Sequence, residues 1–95
     1  MVHILAKVRI EDLPKFMAVF STRGAQMRRK HGSHRAQIFK VEQESNQLVV
    51  LFEWESREAF EGFLEDPTVR ETMQSSGTRG RPEFAFLEKV GELTA

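Results

Sequence analysis

The chain carries three histidines, no cysteine and no tyrosine, and these counts limit the chemistry its side chains can offer. Thiolate nucleophiles, disulfides and thiolate metal sites are excluded. His31 and His34 flank Gly32-Ser33, a spacing at which two imidazoles could share a metal ion. A closed metal site needs more ligands than that, and none stands beside them, so the pair reads as a polar helix end and no metal is expected. His3 sits on an alternating segment with Leu5 and Lys7. An imidazole titrates near neutrality, which makes His3 the best single proton-transfer candidate; the alternative is a packed or interface histidine.

Arg79 and Arg81 in Thr78-Arg79-Gly80-Arg81-Pro82 could clamp a carboxylate or phosphate at the mouth of a cleft, since guanidinium forks match those anions. The alternative is a solvated loop, and the segment lacks the glycine-rich cradle of a nucleotide site. The carboxylate pairs Glu11-Asp12 and Glu53/Glu55 are explained by helix capping and by charge at a strand end. Trp54, Phe60, Phe63 and Met73 form an aromatic-rich set that serves as core first and as ligand pocket second.

The elements that must position these residues follow from periodicity. Val2, Ile4, Ala6, Val8 and Ile10 alternate with His3, Leu5, Lys7 and Arg9, a strand. Asp12 offers an N-cap and Pro14 fits the first turn of the following helix. Leu13, Phe16, Met17, Phe20, Gly24, Met27 and His31 continue at helical spacing, predicting one amphipathic helix closed by Gly32. Arg28 to His31 suit the negative end of its dipole. Gly24 on the apolar stripe points to close approach of helix and sheet, or of helix and ligand.

Arg35 to Glu42 and Leu48 to Trp54 read as a hairpin around the polar turn Gln43–Gln47. Ser56 caps a helix whose stripe is Ala59, Phe60, Phe63 and Leu64. Asp66-Pro67 restarts a helical piece with Val69 and Met73 inward. Ser75 to Pro82 reads as a loop, and Glu83 to Val90 as the last strand.

The order β-α-β-β-α-β predicts a ferredoxin-like α+β fold, a four-stranded antiparallel sheet with helices on one face and strands one and three central. Its 95 residues read as one domain, 1–95. The third strand is apolar on both faces, where a half-exposed sheet should alternate, so a second copy of the chain is the expected cover. Fourteen basic residues balance fourteen acidic ones, which argues against a general nucleic-acid or anionic-membrane partner. No apolar run approaches the roughly 20 residues that span a bilayer, and no signal peptide is recognised, so a cytoplasmic location is expected.

The run Phe52-Glu53-Trp54-Glu55-Ser56-Arg57-Glu58-Ala59-Phe60, then Phe63-Leu64 and Asp66-Pro67, resembles the strand-to-helix signature of antibiotic-biosynthesis-monooxygenase-like proteins. These belong to the dimeric α+β barrel superfamily. The resemblance implies a homodimer with two sheets face to face, each monomer keeping a cleft between its own sheet and helices. It also implies a small apolar or aromatic ligand. The haem-degrading branch uses an Asn on the first strand and a Trp and a His further on. Carried over through Trp54-Glu55-Ser56, those positions fall on Ala6 or Val8, on Phe63 and on Met73, all apolar here. Haem degradation is therefore not expected, and no cofactor is. The polyketide-oxidising branch uses Asn, Trp, Tyr and Arg, a set this tyrosine-free chain cannot complete. His3, His31, His34, Arg35, Arg79 and Arg81 remain as polar candidates. Ligand contacts are expected at Trp54, Phe60, Phe63, Met73, Arg79 and Arg81. Two functions stay open: a cofactor-independent monooxygenase, isomerase or cyclase, and a non-catalytic binding or structural homodimer.

Overall fold

Local capping chemistry sets most of the boundaries in the computed structural model, which describes residues 1–95. Strand β1 spans Val2–Ile10. Asp12 then accepts a hydrogen bond from the Lys15 amide at 2.9 Å and starts α1 (Leu13–Phe20). The single helix expected as far as His31 is broken after Phe20. The Ser21 hydroxyl donates back to the Met17 carbonyl at 2.6 Å, and the Thr22 hydroxyl to Ala18 at 2.6 Å. Such back-bonding competes with the helical ladder and bends or ends it. A second helix, α2, runs from Arg23 to Lys30. Gly32 closes it at φ +96°, where an added Cβ would also lie 3.0 Å from the Glu55 carboxylate.

Strands β2 (Ser33–Lys40) and β3 (Gln47–Trp54) form the expected hairpin. Ser56 accepts from the Ala59 amide at 3.1 Å and caps α3 (Arg57–Glu65). Asp66 accepts from the Thr68 amide at 2.9 Å and caps α4 (Pro67–Ser75). The last strand, β4, spans Thr78–Leu87. It therefore takes in most of the segment read from sequence as a loop, and it ends three residues short of Val90. Proline is tolerated because β4 lies at the sheet edge, and the register with β1 shifts between Lys7 and Arg9 to pass Pro82.

The sheet order is β2-β3-β1-β4, all antiparallel, with β1 and β3 central. Ala6 lies opposite Val50 on one side and Phe84 on the other. The face carrying Ile4, Ala6, Val8, Ile10, Leu48, Val50, Phe52 and Trp54 is buried against Phe16, Phe60 and Val69 of the helices. Trp54 and Phe60, both fully buried, meet edge to face at 4.9 Å. Aromatic pairs of this geometry contribute about 0.5–1.5 kcal/mol beyond the burial of their area.

The opposite face of the sheet has no helix over it. It presents Leu5, Val49 and Leu51 half-buried, and Phe39 and Leu87 49% and 43% exposed. No helix is long and apolar enough to cross a membrane.

Candidate functional site

Between the sheet and the helices lies a cavity of about 70 Å³. Its floor is Ala6, Val8, Val50 and Phe52 of the central strands, with Phe84 and Pro82 of β4 beside them. Its walls are Phe16 and Phe20 of α1, Met27 and Arg28 of α2, Phe63 of α3, and Val69 and Met73 of α4. A molecule of aromatic size needs more room than this. The unbranched side chains of Met27 and Met73 can yield it by changing rotamer.

The polar groups of the lining are few, and most are already engaged. The Thr72 hydroxyl donates to the Thr68 carbonyl at 2.8 Å. The Ser76 hydroxyl donates to Met73 at 2.6 Å and lies 2.8 Å from the Thr78 hydroxyl. Arg28 is the only charged lining residue. Its Nη1 donates to the Phe20 carbonyl at 2.9 Å, and its guanidinium stacks 3.8 Å above the Phe20 ring. No carboxylate lies within salt-bridge distance of it. Burial, with the neighbouring Arg29 charge adding to it, pulls its pKa down to about 10. Gly24, one turn earlier, makes this pose available: a Cβ there would lie 3.2 Å from Arg28 Nη1 and 3.1 Å from the Val19 carbonyl oxygen.

A second polar cluster ties the helices together at the base of the layer. His31 Nε2 lies 2.9 Å from Asp66 Oδ2, with Lys30 3.9 Å from the same oxygen. The hydrogen bond to His31, and then that from the Thr68 amide, hold the Asp66 carboxyl below its ordinary value. The His31 ring packs edge-on against Phe63 at 5.8 Å, which connects this cluster to the cavity wall. Nowhere do three His, Asp or Glu side chains gather as metal ligands would.

The residues singled out from sequence fall in three places. Phe63 and Met73 line the cavity, as do Ala6 and Val8. Trp54 and Phe60 are fully buried behind the cavity wall, where they support Phe63 at 4.8 and 6.0 Å. His3, Arg79 and Arg81 lie elsewhere. His3 is on the opposite sheet face, between Glu53 and Leu87. Arg79 pairs across the ladder with Arg9, beside a groove at the other end of the sheet. Arg81 borders a shallow depression that shares Met73, Thr78, Pro82 and Phe84 with the cavity.

Sequence reasoning gives Arg28 only a place suited to the helix dipole; the signal for its position beside the cavity is its spacing of four residues from Gly24.

Several solved structures share this architecture. SnoaB, a cofactor-independent oxygenase from Streptomyces nogalater, superposes with a TM-score of 0.76 at 19% identity over 99% of this chain and 97% of its own. An antibiotic biosynthesis monooxygenase-type protein from Caulobacter crescentus superposes with a TM-score of 0.73 at 17% identity, over 95% and 90% of the two chains. At such identities the likeness concerns the fold. No curated protein matches in sequence. The family model described as antibiotic biosynthesis monooxygenase matches residues 1–75, which include all of the helical layer and three of the four strands. By that match the chain belongs to the antibiotic biosynthesis monooxygenase family.

Proposed function

We propose that this protein is a single-domain homodimer of the cytoplasm that binds a small apolar or aromatic molecule in the sheet–helix cavity and oxygenates it without a cofactor. The observation that carries the reading is the cavity itself. It is apolar, lies between sheet and helices, and is lined by Ala6 and Val8 of the first strand together with Phe63 and Met73 of the helices. Family membership and the fold shared with SnoaB support the choice of reaction. The helix-free sheet face bearing Leu5, Phe39, Val49, Leu51 and Leu87 supports the homodimer, because an exposed apolar patch of this kind marks an interaction surface.

In such a reaction the substrate supplies the electrons. A methylene between aromatic rings takes one atom of O₂ as a carbonyl oxygen while the other leaves as water. The protein's part is to exclude bulk water, hold the ring system flat against Phe52 and Phe63, and stabilise the anion formed when the methylene loses a proton. The test is oxygen uptake with anthrone as probe. Protein-dependent uptake with formation of the anthraquinone supports the proposal.

A second reading has a specific observation in its favour. No His, Asp, Glu or Tyr lines the cavity, so no side chain there can accept the proton whose removal opens the reaction. This observation favours a binding protein without catalysis. Binding of anthrone without oxygen uptake would establish that reading and overturn the enzymatic one.

A further inference from the structure

The cavity surface is almost wholly apolar and contains no anion, and the half-buried Arg28 is the one charged residue that borders it. Every other lysine and arginine of the chain is exposed, and the exposed Arg35 lies 3.8 Å from the Glu53 carboxylate. Near Arg28 the only acceptor taken is the Phe20 carbonyl. A guanidinium has five N–H donors, so four remain. Stacking on Phe20 occupies its face and leaves its edge, the part that recognises a carboxylate or other oxyanion through two parallel hydrogen bonds.

The pose is also held in place. Phe20 fixes the plane of the group and its carbonyl fixes one nitrogen, while Gly24 leaves the space the group occupies. Every hydroxyl of the lining donates elsewhere, so no other side chain there can compete for an anion.

We infer that Arg28 is the anion-recognition residue of this cavity, and that its ligand is a flat aromatic acid whose carboxylate or phenolate oxygen meets the Arg28 edge while its rings lie among Phe52, Phe63 and Met73. The inference rests on the reading of the cavity as the ligand site and adds to it the charge of the ligand. Arg28 lies on the helical layer, so a dimer formed through the opposite sheet face leaves it accessible.

The test is isothermal titration of the full chain with 2-naphthoate, with its neutral isostere 2-naphthamide, and with 4-nitro-1-naphthol, whose activated phenol ionises well below the Arg28 pKa, above and below the pH of that ionisation. The natural chain should bind naphthoate about tenfold more tightly than naphthamide, as expected for a charge-assisted pair. Arg28→Met should lose that preference while still binding the amide, and Arg28→Lys should keep part of it. A preference for the ionised over the neutral nitronaphthol would assign a phenolate ligand; preference confined to naphthoate would assign a carboxylate. Equal affinity for acid and amide, or a preference that survives in Arg28→Met, overturns the role of Arg28 and leaves the cavity reading standing. Binding of none of the probes overturns both. Should Arg28→Met not fold, Arg28→Gln provides the same comparison with a polar neutral group.

Discussion

The indole Nε1 of Trp54 donates to the main-chain carbonyl of His31 at 2.7 Å, joining the end of β3 to the C-cap residue of α2. The bond links the central sheet to the helix carrying Arg28, and Trp54 itself is fully buried. On the far side of His31 the imidazole reaches Asp66, the cap of α4. One residue thus connects a strand and two helices through its main chain and its side chain.

Replacing Trp54 by Phe removes the donor and leaves the His31 carbonyl without its partner. The expected loss is about 1–3 kcal/mol for the unsatisfied carbonyl, with a smaller packing cost added. Urea denaturation of the Trp54→Phe variant measures it, with far-ultraviolet circular dichroism as the signal. An unchanged midpoint would show that the bond does not hold α2 to the sheet.

Two neighbouring residues of β3 separate folding from assembly. Val50 is 1% exposed between Ala6 and Ile38, so Val50→Asp buries a carboxylate with no partner and should cost several kcal/mol. Leu51 lies on the helix-free face between Leu5 and Gln37. Leu51→Glu should leave the circular dichroism spectrum intact while converting the proposed dimer to monomer. Light scattering after size exclusion reads the second effect. A natural chain that is already monomeric at micromolar concentration would refute the dimer.

Asp66 makes stability depend on acid. Its carboxyl is held below the ordinary value of 3.8, first by the hydrogen bond to His31 and then by the Thr68 amide. A carboxyl depressed in the fold contributes stability that is fully present above its unfolded value and is lost as pH falls through the folded one. Stability should therefore be level above pH about 4 and decline below it. Asp66→Asn keeps an N-capping oxygen but cannot titrate, so its decline in that window should be shallower. Urea midpoints measured from pH 5 downward compare the two; parallel curves would remove Asp66 from the acid response.

Much of the fold was legible because its signals are local. Asp12, Ser56 and Asp66 cap helices by side-chain geometry that a few residues determine, and the alternation of β1 and β3 follows from burial on one face. The helix break at Ser21-Thr22 was hidden because the apolar stripe runs on through Phe20, Gly24 and Met27. The competing hydroxyl bonds to Met17 and Ala18 leave no trace in that periodicity. The start of β4 was hidden by Gly77, Gly80 and Pro82, which an edge strand with a register shift tolerates. The cavity's apolar wall at Phe63 and Met73 could be anticipated from the stripes of α3 and α4. The position of Arg28 could not, since a helix-end cation reads the same whether it faces solvent or stacks on Phe20.

Arg28 should be costly to the fold until a ligand arrives. Burial lowers its pKa from the ordinary guanidinium value to about 10, so the folded chain disfavours the cation relative to the unfolded one at every pH below about 10. Stacking on Phe20 and the bond to its carbonyl offset part of this penalty, as does the solvent that still reaches the group. Arg28→Met, with an unbranched apolar side chain of similar reach, should therefore be no less stable than the natural chain and up to about 1 kcal/mol more so. Urea denaturation without ligand checks the sign; a large loss would mean that the guanidinium serves the fold rather than a ligand. With 2-naphthoate at about a hundred times its dissociation constant, the natural chain should gain about 2.7 kcal/mol. The variant, lacking the anion partner, should gain clearly less at the same concentration. The order of stability would then reverse between the free and the liganded protein, as expected of a residue kept for binding at the expense of stability.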